Sequence, residues 1–114
     1  MEPKRSLTCL AAAVLAIACS PDTGALSPLA QQGQRVYMNV CIACHNGVPS
    51  QDGAVGPAIA GSPRELVEAK VLRAEYPPGY TPKRVGGIAM PKFEYLAPEI
   101  DALTAFLAEA GDHK

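Results

Sequence analysis

Two cysteines separated by two residues, with a histidine directly after, constrain this chain more than any other stretch: Cys41-Ile42-Ala43-Cys44-His45. At the end of a helix this spacing sets both sulfurs along one edge and the imidazole beside them. It is the pattern of covalent haem attachment, in which two thiols add to two vinyl groups and the histidine gives a ring nitrogen to the iron. Three other readings compete with it. A disulfide or a thioredoxin-like redox pair belongs in a βαβ surround, and no strand run flanks the motif. Half of a zinc site needs a fourth ligand, for which His113 and Cys19 remain. The third is chance.

The opening residues bear on that choice. Lys4 and Arg5 precede an apolar run, Leu7 to Ala18, and this order predicts a secretory signal peptide over residues 1–18. The run is shorter than the roughly 20 apolar residues of a membrane span. It ends Leu15-Ala16-Ile17-Ala18-Cys19, which resembles a bacterial lipobox with Ala16 where Leu is usual. The resemblance implies that Cys19 becomes the first mature residue and carries lipid, and that Ser20 directs the anchor to the outer membrane. Ordinary cleavage, leaving Cys19 as a free thiol or trimmed away, is the alternative. Residues 19–27 read as a flexible tether and 28–114 as the folded domain. The expected location is the periplasm, where haem attachment of this kind is made.

Three helices are expected, and no strand. Ser27-Pro28 is a start signal, a serine N-cap followed by proline at the first helical position. The helix runs towards Val40 with Leu29, Gly33, Val36, Tyr37 and Val40 on one face. Gly33, costly inside a helix, suits a close approach of a second helix. Ser62-Pro63-Arg64-Glu65 has the form of a capping box, with Leu66, Val67, Val71 and Ala74 beneath it. Pro98 is expected to start the last helix, with Glu99 and Asp101 in its first turn. Ile100, Leu103, Phe106, Leu107 and Ala110 form its apolar face, and Gly111 is its stop. Loops 46–61 and 76–97 are long enough to carry function. Aromatic residues are only 5% of the chain and there is no Trp, so a core of side chains alone is thin. A buried apolar cofactor relieves that shortage.

From Gly33 onward the chain resembles the class I, mono-haem cytochrome c family. The resemblance rests on Gly33-x-x-x-Tyr37, the C-x-x-C-H, Gly56-Pro57, Met90-Pro91 and the final helix with Phe106-Leu107. It implies an all-α fold of three or more helices wrapped around one covalent haem c. Cys41 and Cys44 then carry the haem, and His45 and Met90 are the axial iron ligands. The Pro57 carbonyl accepts a hydrogen bond from the His45 ring. Gly33 and Tyr37 match the crossing of first and last helices against Phe106, where the family often has Tyr. By residue type alone a Met is more often a flexible core filler than a ligand. Met38 lies on the same helix as Cys41 and cannot reach the opposite iron face, and His113 is the rival to Met90.

With both axial positions taken, the expected function is one-electron transfer between donor and acceptor proteins, not enzymatic turnover. The alternatives are a haem subunit of a periplasmic dehydrogenase or oxidase, or a gas sensor or peroxidase in which Met90 is labile. A net charge of −1 gives no basis for nucleic-acid binding. From Arg64 to Lys92 the charge is mostly basic and from Phe93 onward mostly acidic. That reads either as solvated helix faces or as a dipole that orients a redox partner. Tyr76, Tyr80 and Arg84 are candidates for pairing with haem propionates, or else belong to a plain surface loop.

Overall fold

A computed structural model describes residues 25–111. The expected signal peptide, Cys19 and His113 lie outside the described residues, as does most of the expected tether. Leu26 packs against the core. The Ser27 amide donates to a Glu109 carboxylate oxygen at 2.9 Å.

Helix α1 spans Pro28–Val40, α2 spans Arg64–Glu68 and α3 spans Ile100–Gly111. No strand occurs among the described residues, and none of their helices is long and apolar enough to cross a membrane. The Ser27 hydroxyl caps α1 by accepting from the Ala30 amide at 3.1 Å. The buried face of α1 is Ala30, Gly33 and Tyr37, with Val36 and Val40 packed at its margin. Leu29, expected inside, is 46% exposed. The face is turned by one residue because α3 lies directly over Gly33. A methyl group there would overlap the Ala102 carbonyl, so only glycine lets the backbones meet. Beside this contact the rings of Tyr37 and Phe106 pack tilted, with centroids 5.2 Å apart.

The capping box at Ser62 does not form. Pro63 is the N-cap of α2, without a side-chain cap. The Ser62 hydroxyl instead donates to the Ile59 carbonyl at 2.6 Å. A wider turn, Ala69–Arg73, with π-type bonding continues α2, and Ala74 ends it in the left-handed region at φ 57°. Leu66, Val67, Ala69 and Val71 are buried. Pro98 does not start the last helix. It lies inside a 3₁₀ turn, Glu94–Glu99, and α3 begins at Ile100. The chain turns early because Leu96 must enter the core, and the Leu96 amide closes on the Phe93 carbonyl at 2.9 Å. Glu99 therefore falls before α3 and accepts from Gln32 of α1 at 2.7 Å. Asp101 stays in the first turn of α3.

One apolar cluster joins these elements: Ala30 and Tyr37 from α1, Val67 and Val71 from the second helical segment, and Leu96, Ile100, Leu103, Phe106 and Leu107 from the last. Ile59, Leu72, Met90, Phe93 and Cys41 pack around it. Most of the basic residues that suggested a dipole are engaged locally. Arg64 lies between Glu68 and Asp101, Arg73 between Glu68 and Glu75, and Lys70 sits 4.1 Å over the Tyr76 ring. The solvated-face reading fits these pairs.

Candidate functional site

Past Val40 the chain tightens into a 3₁₀ turn, Cys41–Ala43. The amides of Cys44 and His45 both donate to the Cys41 carbonyl, at 3.2 and 2.9 Å. The whole C-x-x-C-H motif is therefore wound on a single turn at the end of α1. Cys41 and Cys44 are both free thiols of intermediate exposure. Cys41 lies against the core, and burial pushes its thiol up to about 11. At neutral pH it is a protonated thiol.

His45 is held on two sides. Its Nδ1 lies 2.9 Å from the Pro57 carbonyl. A carbonyl only accepts, so Nδ1 carries the proton, and in the neutral ring it is Nε2 that presents a lone pair. Gly56 lies flat against the ring, where a Cβ would come within 2.5 Å of Nδ1 and Cε1. The turn that carries Gly56 is tied to the motif itself. The amides of Val55 and Gly56 donate to the Cys44 carbonyl at 3.3 and 2.8 Å, and the Gly53 amide donates to the Gly56 carbonyl at 2.9 Å.

Asn46 and Asp52 brace this loop. The Tyr37 hydroxyl donates to the Asn46 carbonyl at 2.5 Å, and the Asn46 side chain accepts from the Val48 amide at 2.8 Å. Asp52 accepts from the Ala58 amide at 2.8 Å. Burial pushes the Tyr37 hydroxyl up to about 12, with the neighbouring Cys41 adding to the effect. Sequence reasoning missed Asn46 and Asp52, although Asn46-Gly47 and Asp52-Gly53 are recognisable turn pairs.

Met90 is half-buried and packs on the same cluster as Cys41, so both ends of the site meet one apolar surface. Its neighbours along the chain face outward: Val85 is 93% and Ile88 77% exposed. A cleft of about 460 Å³ opens between Ala54–Val55 and the stretch Arg84–Ile88. Tyr76, Tyr80 and Arg84, grouped as propionate candidates, have different partners. The tyrosines stack on each other with centroids 5.5 Å apart. Arg84 donates to the carbonyls of Val55 and Gly53 at 2.9 and 3.1 Å.

These side chains suit a haem on the donor chemistry alone. There are two unpaired thiols one turn apart, an imidazole with its outer nitrogen oriented and available, and a thioether on the same apolar surface. Among the described residues no three His, Cys, Asp or Glu side chains converge to hold a metal; His113 and Cys19, the further ligands that the zinc reading named, lie outside them.

A helical fold without strands, built around a C-x-x-C-H turn, defines a c-type cytochrome domain. The family described as cytochrome c oxidase, cbb3-type, subunit III matches residues 28–107, from the first residue of α1 into α3. The chain belongs to that family. No curated protein matches it, and no solved structure does.

Proposed function

We propose that this protein is a one-electron carrier in which Cys41 and Cys44 would hold a single haem c covalently and His45 and Met90 would ligate its iron. The observation that carries this reading is the His45 ring, oriented by the Pro57 carbonyl and seated on Gly56 at the end of a turn bearing two free thiols. The group, when bound, supplies a one-electron Fe(III)/Fe(II) change, and thioether ligation with an apolar surround favours the reduced state.

The chain's own residues do the rest. Pro57 fixes which imidazole nitrogen faces outward, so no reorientation is needed on either side of the electron step. Cys41 and Cys44 hold the group at the end of α1. Met90 would hold the other ligand position and leave none for substrate, in keeping with a carrier and not with a gas sensor or peroxidase. The exposed apolar residues Ile42, Val85 and Ile88 form a rim suited to small, short-lived contacts with a donor and an acceptor.

The family match favours one setting, the haem subunit of an oxidase, over a freely diffusing carrier. Export and a lipid on Cys19 remain part of the proposal, on the strength of Lys4 to Ser20 alone. The deciding experiment is a ferric and ferrous absorption spectrum of protein matured in a haem-ligating host, with and without carbon monoxide, followed by acid–acetone extraction. Haem that resists extraction, a ferric far-red sulfur-to-iron band and no carbon monoxide binding are expected. Extractable haem rejects the attachment, and ready carbon monoxide binding rejects Met90 as ligand. Co-purification with oxidase subunits separates the subunit from the free carrier.

A further inference from the structure

The segment from Tyr76 to Lys92 has no regular structure, yet it carries Met90. Two attachments hold the half of it that matters. At one end the Phe93 amide donates to the Val71 carbonyl at 2.7 Å. At the other, Arg84 places its two terminal nitrogens on the carbonyls of Val55 and Gly53, with Asp52 3.8 Å away. Lys83 adds a bond to the Ala58 carbonyl at 2.7 Å. Between these points residues 85–92 make no hydrogen bond among the described residues. Gly86 and Gly87 have φ of 85° and 86°, and no side chain restrains the backbone there.

The Arg84 end grips the loop behind the histidine. Gly53 and Val55 belong to the turn whose Val55 and Gly56 amides hang from the Cys44 carbonyl, and whose Gly56 faces the His45 ring. One guanidinium thus joins the arc bearing Met90 to the loop that seats His45.

We infer that Arg84 is a positioning residue, a clasp that ties the Met90 arc to the Gly53–Pro57 loop and so sets how firmly Met90 holds its ligand position. The inference rests on the ligand assignment proposed above. A charged donor shared between two carbonyls makes stronger bonds than a neutral one. It also shortens the free arc around Met90 to the stretch between residues 84 and 93, which lowers the entropy that releasing the thioether would gain.

The test is imidazole titration of the ferric haem-loaded protein at neutral pH, followed by the far-red band, for wild type, Arg84→Gln, Arg84→Lys and the control Arg73→Gln. Imidazole replaces a thioether that lets go, so a looser arc binds it more tightly. Arg84→Gln is expected to bind imidazole about tenfold more tightly, with Arg84→Lys in between and Arg73→Gln unchanged. Equal affinities for wild type and Arg84→Gln overturn the clasp. So does an equal gain in Arg73→Gln, and so does a shifted reduction potential without a shifted affinity, which assigns Arg84 to the charge around the iron instead. Met90→Ala separates the two failures. A far-red band that survives it removes the ligand assignment and the clasp together. A band that it abolishes, with Arg84→Gln unshifted, removes the clasp alone.

Discussion

The crossing of α1 and α3 and the arc from Arg84 to Phe93 lie on one small domain and are built on opposite terms. At the crossing, two backbones touch through Gly33 and Ala102. Tyr37 is fully enclosed, and Leu103, Phe106 and Leu107 are nearly so. In the arc, Val85 and Ile88 stand in the open, and apart from the packing of Met90 and Phe93 on the core attachment depends on Arg84, Lys83 and one amide at Phe93. The crossing is complete as polypeptide: close-packed, and intolerant of added or lost volume. The arc is a span between two anchors, and between Arg84 and Met90 its apolar residues Val85 and Ile88 bury little against the chain itself. On the proposed ligation by Met90, stability and ligand control are thereby separated. Damage to the crossing should unfold the protein, while damage to the arc should alter only what happens at the iron.

The sharpest way to break that contrast is to empty the crossing. Phe106→Ala removes the ring packed on Tyr37 and is expected to cost about 3–5 kcal/mol in denaturant unfolding. A loss below about 1 kcal/mol would mean the crossing is not the core. Gly33→Ala comes next, because its methyl group meets the Ala102 backbone and not a movable side chain. Parting the helices should cost about 2–3 kcal/mol, seen as a lower denaturation midpoint with unchanged slope.

A smaller effect, of about 1 kcal/mol, is expected for Tyr37→Phe at neutral pH, from loss of the bond to the Asn46 carbonyl. Its pH dependence sharpens the test. The folded protein holds the Tyr37 proton up to about pH 12, against 10 in the unfolded chain. The stability this gives is full below pH 10 and is lost as pH rises through 12. Phenylalanine has no proton to lose, so the gap between wild type and Tyr37→Phe should narrow from pH 10 upward in paired denaturation curves. A gap constant to pH 12 would place Tyr37 in a wetter site. The smallest effect belongs to the arc: Val85→Ser with Ile88→Ser should move unfolding free energy by less than about 0.5 kcal/mol. A loss of several times that would make the arc part of the core.

Much of this molecule could be read without coordinates wherever a signal is local. Ser27-Pro28 starts α1 because a hydroxyl and a fixed φ act within one turn. The C-x-x-C-H spacing needs only one turn to gather its side chains. Gly33 signalled a close approach because nothing else recommends glycine inside a helix. Local signals failed where a competing contact or a distant partner decided. Whether Leu29 or Ala30 faces inward depends on where α3 crosses, some 70 positions away. The Ser62 hydroxyl had a helix amide and the Ile59 carbonyl to choose between, and took the carbonyl. Pro98 could start a helix, but burial of Leu96 began the turn sooner.

For the cofactor the division is similar. Cys41, Cys44 and His45 carry the pattern of haem attachment in their order along the chain, because the chemistry that pattern serves acts over a few bonds. The bond from Nδ1 to the Pro57 carbonyl was expected from the family resemblance at Gly56-Pro57 and is present, but that Arg84 joins the two loops through the carbonyls of Val55 and Gly53 was not expected. Every residue has a backbone carbonyl, so no local pattern marks which ones Arg84 will find; only the folded arrangement of the loops decides it.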